Sequence, residues 1–147
     1  MWSRVALTIT LMSGGPVMVQ AQEDATDTPL LFLELNALQT VEQACRLSFI
    51  ARNETGMDIE KAVFETVIFD ADGAVTSLSL FDFRDLPQAR PRVRQFELTS
   101  TTCDAVGRVL INGASTCTVA GEAGSEASDL CDRALSLTSR LNVELIG

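Results

Sequence analysis

The chain reads as a mainly β protein, a sandwich of short strands with a short C-terminal helix. Three observations carry that expectation. Apolar and polar residues alternate with period two in several short runs, turn-forming residues separate those runs at regular intervals, and four cysteines occur in a chain that opens with an export leader. The 147 residues suffice for one domain with a single core, and no internal repeat is evident.

The leader decides which residues belong to the fold. Trp2-Ser3-Arg4 is a short basic start, Val5 to Met12 is mostly apolar, and Gly14-Gly15-Pro16 breaks the run before Val19-Gln20-Ala21, which has the small-residue pattern of a signal-peptidase site. Residues 1–21 are therefore expected to be a signal peptide, with Gln22 the first mature residue. The apolar stretch falls short of the roughly 20 residues that span a bilayer. No arginine pair precedes it and the first cysteine is Cys45, far from any lipid-attachment position. A periplasmic or secreted chain without a stable membrane anchor is the expectation. Residues 22–30 are acidic and polar, an expected flexible lead-in, and residues 31–147 form the expected domain.

The first two strands follow from alternation. Leu33, Leu35 and Ala37 alternate with Glu34 and Asn36, and Cys45, Leu47, Phe49 and Ala51 alternate with Arg46, Ser48 and Arg52. Asn53-Glu54-Thr55-Gly56 closes the second run with turn residues. It is also a glycosylation sequon, but the turn role is the reading adopted here. Ala62 to Phe69 is apolar on both faces, as a central strand is, and Val75 to Phe83 is β-branched and aromatic enough to pair with it.

Between these two runs stands Asp70-Ala71-Asp72-Gly73. A calcium loop of the EF-hand type wants glycine at position 6, an acid often at position 5 and a glutamate at position 12. Counted from Asp70, glycine arrives too early, Ala74 holds the fifth place and Phe81 the twelfth, so the metal pattern fails. Asp-Gly between two strand-like runs is instead a hairpin signal, because glycine adopts the positive φ the turn requires.

After Leu86-Pro87, the run Arg90 to Leu98 reads as a strand entered through a proline, at or near a sheet edge. Arg92 and Arg94 share a face with Phe96 and Leu98. Either a bulge shifts the register or the arginines lie beyond the covered part of the sheet. Cys103 to Asn112 is the next expected strand, ended by Asn112-Gly113, and Ala114 to Gly124 an expected loop pinned by Cys117. Ser125 then caps a helix in which Leu130, Ala134, Leu137 and Leu141 recur at helical spacing, with Asp129 and Arg133 as an i,i+4 pair. Val143 to Ile146 is a candidate last strand.

An even number of cysteines in an exported chain reads as two disulfides among Cys45, Cys103, Cys117 and Cys131. A zinc site would want closer pairs such as C-x-x-C, and there is no histidine to contribute. No metal and no cofactor is expected.

Six or seven short strands in this length suggest an antiparallel β-sandwich of immunoglobulin type. The succession of Asn53-x-Thr55-Gly56, Phe69-Asp70-x-x-Gly73, Leu86-Pro87 and Phe96-x-Leu98 resembles the small extracytoplasmic immunoglobulin-like domains of the FxLYD type, over about Leu31 to Leu110. The chain departs from that pattern in lacking tyrosine, in its four cysteines and in its C-terminal helix. The resemblance implies a binding or accessory module with no catalytic residues. In an immunoglobulin sandwich the second and sixth strands start at the same end, which would place Cys45 near Cys103 and leave Cys117 for Cys131. A bridge from Cys103 to Cys117 would have to close a strand of roughly 30 Å, against Cα atoms within about 7 Å in a disulfide.

Composition narrows function further. Twenty acidic against 11 basic residues give a net charge of −9, which disfavours a nucleic-acid partner. With no histidine, neither a Ser-His nor a Cys-His nucleophile can be assembled. Carboxylate pairs could support a glycosidase-like hydrolase, but no spacing singles one out, and Glu34, Glu54, Glu60 and Asp85 fall at exposed strand or turn positions. Gly121 and Gly124 do not form a phosphate-binding loop. The expected function is that of a non-enzymatic exported binding or accessory module of the cell envelope, with a structural subunit of a larger envelope assembly as the alternative. Its partner would be another envelope or extracellular protein. The candidate contact residues are Arg90, Arg92 and Arg94, which with Arg84 crowd a short segment of an acidic chain. They either pair with Asp82, Asp85 and Glu97 or meet an acidic partner through bidentate guanidinium contacts.

Overall fold

The computed structural model describes Thr28 and residues 30–121 and 128–147. The expected signal peptide, nearly all of the acidic lead-in and the Ser125 cap lie outside the described residues. The remainder builds two four-stranded sheets packed face to face. The strands are β1 (Leu30–Val41), β2 (Ala44–Glu54), β3 (Ile59–Phe69), β4 (Val75–Leu86), β5 (Arg92–Leu98), β6 (Arg108–Val119), β7 (Leu135–Ser139) and β8 (Glu144–Ile146), with one helical turn, α1 (Leu130–Arg133), before β7. One sheet has the order β5-β2-β1-β7 and the other β4-β3-β6-β8. Leu31, Leu33 and Leu35 of β1 and Cys45, Leu47, Phe49 and Ala51 of β2 face the core, so the alternation read from the sequence sets which face of this sheet is buried.

The Asp70 to Gly73 segment is a hairpin turn. Gly73 has a φ of 86°, and the Asp70 carboxylate accepts the backbone N–H groups of Asp72 and Ala74, both at 2.9 Å. Asp70 thus spends its oxygen on closing β3 onto β4. The β5 segment follows β2 without a register shift, so no bulge moves its arginines, and Arg94, opposite the buried Phe49, does not lie beyond the covered part of the sheet either: it and Arg92 reach across to β4.

Three expectations are corrected. Cys103 does not begin a strand: Cys103–Ala105 is a short 3-10 turn and β6 starts at Arg108. Gly107 lies between them, where the backbone crosses so close to the Asp70 carbonyl that an added Cβ would stand 2.2 Å from its oxygen. Nor does Asn112-Gly113 end the strand. β6 runs on to Val119, with register shifts around Asn112 and Ser115 against β3 and with Gly113 at a φ of 145°. The turn-forming pair is absorbed as a bulge because β3 offers a ladder on both sides of it. Finally, the expected C-terminal helix lasts only for Leu130–Arg133, and Leu135–Ser139 is strand β7. The unpaired side of β1 wins over helical spacing here: β7 pairs with it in parallel, Leu31 opposite Leu135 and Leu33 opposite Leu137. Because β8 also pairs in parallel, with β6, the sandwich is mixed rather than wholly antiparallel.

Two disulfides fasten this arrangement. Cys45 at the start of β2 is bonded to Cys103, with Cα atoms 4.8 Å apart, and Cys117 in β6 to Cys131 in α1, with Cα atoms 6.0 Å apart. The second holds the single helical turn against β6, from which the chain enters β7. Replacing Cys117 and Cys131 together with alanine is expected to lower unfolding free energy by about 3 kcal/mol, as loop-closure entropy for a short loop predicts. Guanidinium denaturation of the two proteins measures this, and a loss well below about 1 kcal/mol would show that the bridge adds no constraint.

The end of β2 is joined to the other sheet by one side chain. Asn53 is 1% exposed. Its Nδ2 donates to the carbonyls of Met57 (2.8 Å) and Leu86 (2.7 Å), while its Oδ1 accepts the Thr55 N–H and hydroxyl. Its main-chain carbonyl accepts the Ala89 N–H. The sequon residue is thus buried with both amide hydrogens engaged, and the turn role prevails over glycan attachment. Asn53→Asp keeps the shape but turns an acceptor toward two buried carbonyls, and is expected to cost about 3 kcal/mol or more in the same denaturation assay. A change under about 1 kcal/mol would contradict this role.

Candidate functional site

One long side of the sandwich is closed by β7 and β8, which follow each other across a short turn and each complete a sheet. On the other, β4 and β5 are also consecutive edge strands, linked at one end by residues 87–91, and beyond that link their facing edges are open. Two contacts hold this open side together. Phe81 of β4 stacks on Phe96 of β5 with ring centroids 4.2 Å apart and planes 12° from parallel, and Phe49 meets both rings edge-on from below. Beside the stack, Arg94 turns its guanidinium onto β4, donating from Nε to the Phe83 carbonyl (2.5 Å) and from Nη2 to the Asp85 carbonyl (2.9 Å) and carboxylate (3.2 Å).

A groove of about 450 Å³ opens at this seam, lined by Asp82, Arg84, Val93, Arg94, Gln95 and Phe96. Arg84 owes its place to local backbone geometry. It sits at a φ of 60° beside a register shift, and its N–H donates to the Asp82 carboxylate at 2.8 Å. Val93, on the outer face of β5, is 61% exposed. The groove therefore combines a guanidinium, a carboxylate and an apolar shelf.

The arginines singled out from the sequence separate into distinct roles. Arg94 is largely covered and serves the seam. Arg92 shares the Asp85 carboxylate with it, at 3.5 Å. Arg90 is exposed and makes no ion pair among the described residues, and the same holds for the side chain of Arg84, which lines the groove. Of the acids near them in sequence, only Asp85 pairs with these arginines, since Glu97 is engaged by Arg46 at 2.6 Å. Arg84 is the residue the sequence reading left out of the candidate set. Its signal was present in the cluster, but only the bulge after Asp82 reveals that it faces the groove. None of the cysteines lines the groove, and none is a free thiol.

Elsewhere, a groove of about 410 Å³ beside Asp132, Leu135, Leu137 and Leu145 lies on the closed side. The Asp104 carboxyl, fully exposed, is held below its ordinary value by the Thr102 hydroxyl and its own backbone N–H. No cluster of histidine, cysteine or acidic side chains among the described residues is arranged to hold a metal ion, and no described helix is long and apolar enough to cross a membrane.

Compared with protein families, curated proteins and solved structures, the chain matches none of them.

The seam makes a direct statement about Arg94. Arg94→Ala is expected to lower stability by about 1 to 2 kcal/mol, because two carbonyls lose a charged donor, and Arg94→Lys to restore only part of it, since an ammonium cannot fork between them. Arg92→Ala, which removes only a surface pair, should cost less than about 1 kcal/mol. Thermal unfolding of the three variants distinguishes these cases, and equal effects at both positions would contradict the assignment.

Proposed function

We propose that this protein is a non-enzymatic exported binding or accessory module of the cell envelope, periplasmic or secreted, that takes an acidic or carboxylate-bearing segment of another envelope or extracellular protein at the seam between β4 and β5. The observation that carries this reading is the pair of unmatched guanidinium groups, Arg84 in the groove and Arg90 beside the entry of β5, on a chain of net charge −9. A guanidinium binds a carboxylate in a bidentate fork, and the exposed Val93 with the half-buried Phe96 gives an apolar neighbour a place to rest. Two disulfides with no free cysteine agree with an oxidising, exported setting. The immunoglobulin-like type of the sandwich, and its likeness to FxLYD domains, belong to the same proposal. Asn53-x-Thr55-Gly56 and Leu86-Pro87, two of the motifs behind that likeness, are hydrogen-bonded to each other.

Selection of a displayed library of random peptides against the disulfide-bonded protein tests the reading. Enriched peptides should carry Asp or Glu, their binding should weaken as salt rises, and Arg84→Ser with Arg90→Ser should reduce it roughly tenfold without changing the unfolding curve. Enrichment that ignores acidic residues, or equal binding by the double variant, would overturn it.

A further inference from the structure

Four strands border the two sheets, and three of them are poor templates for another strand. β5 is entered through Pro91 and carries Arg92 and Arg94, β7 has 5 residues and β8 has 3. Proline, charge and shortness are the ways in which natural sheets blunt their edges. β4 is different. It is 12 residues long, and from Val75 to Phe81 it contains neither a charge nor a proline. Between the register shifts that flank it, Ser77 to Asp82 pairs with β3 in unbroken register, so this stretch is a regular strand. Its other side is free: Arg94 takes the outward carbonyls only of Phe83 and Asp85. Backbone direction alternates along a strand: the Phe69 carbonyl accepts from Gly107 on the β6 side, so Ile68, Thr66 and Phe64 face β4 and bond Ser77, Ser79 and Phe81 opposite them. Leu78 and Leu80 therefore turn their N–H and C=O groups toward the open side, while the register shift at Phe83 frees its carbonyl for Arg94.

The side chains on this stretch are also unpartnered. Leu78 and Leu80 are 59% and 60% exposed on the outer face. Leu78 begins an apolar row that crosses the whole sheet through directly opposed residues, Val67 of β3, Leu110 of β6 and Ile146 of β8.

We propose that β4 pairs with β4 of a second copy, antiparallel about Ser79, to join two four-stranded sheets into one of eight strands. The occupant is identified by charge and symmetry. Two copies of a chain with net charge −9 repel, and an uncharged edge is where they can approach. A two-fold axis at Ser79 sets Leu78 against Leu80 of the second copy, Ser77 against Phe81, and Asp82 against Thr76 rather than against its own equivalent. The contact area of one strand pair is small, so the association is a weak one that depends on concentration. It uses the free side of β4 and leaves Arg84 and Arg90 out of the pairing.

Sedimentation of the disulfide-bonded protein over a concentration series, combined with amide hydrogen exchange, tests this. The expected result is a reversible monomer–dimer equilibrium in which exchange at Leu78 and Leu80 slows as concentration rises, while exchange at Ser77, Ser79 and Phe81, whose amides face β3, does not change. Leu80→Pro removes an outward donor at a position where an edge strand tolerates proline, and should weaken association at least roughly tenfold. Should that variant fail to fold, Leu78→Lys with Leu80→Lys places like charges across the same pairing and should weaken association to a similar extent. A monomer at every concentration, a dimer in which the Leu78 and Leu80 amides exchange unchanged, or a dimer that survives folded variants would each overturn the proposal. Arg84→Ser with Arg90→Ser should leave the dimer intact, which separates this result from the fate of the groove.

Discussion

The amide of Asn53 is the constraint on which the two sheets depend. It stands at the last inward position of β2, and through it one sheet is hydrogen-bonded to the approach of β3 and the end of β4 in the other. A buried amide has two donors and an acceptor to satisfy, and here every one is matched. That matching fixes the height at which the sheets meet. It therefore places β4 against β5, sets Phe81 over Phe96, and brings Arg94 within reach of carbonyls in a strand it does not pair with. The neighbouring contacts, Gly56 to the Gln88 side chain and Gln88 to the Asp58 carboxylate, repeat the same tie with exposed groups.

The molecule divides its stabilising devices by side. Where β7 and β8 wrap from one sheet to the other, a short turn and the Cys117–Cys131 bridge do the holding. Where β4 and β5 face each other, the chain also crosses between the sheets, through residues 87–91, and beyond that link an aromatic stack and a forked guanidinium hold the strands. These side-chain contacts are local and leave room between them. The groove at that seam and the uncharged stretch of edge lie beside them.

What could be read from the sequence was what local chemistry decides. The alternation in β1 and β2 marks the faces because each inward side chain is simply removed from water, and the Asp70 to Gly73 turn closes on its own carboxylate. Leu135 to Leu141 misled because Leu137 and Leu141 fit a helical spacing while Leu135 and Leu137 fit an extended one, and only the vacant side of β1 decides between them. Asn112-Gly113 misled for the same reason in reverse: a strong turn signal is overruled by a ladder on β3, distant in sequence. For the candidate site, the clustering of arginines was legible but their division of labour was not. The partners of Arg94 lie 9 and 11 residues back along the chain, on a strand whose position only the closed sandwich defines.

The phenylalanine cluster also makes the protein its own optical probe. The chain has seven phenylalanines, no tyrosine and a single tryptophan, Trp2, which lies outside the described residues. Among the described residues every aromatic ring is a phenylalanine, and five of the seven rings are packed together around the open seam. An aromatic ring gives a circular dichroism signal only when it is held in a fixed, asymmetric setting. The phenylalanine bands of the protein's circular dichroism would report, without any label, whether β4 and β5 are in contact.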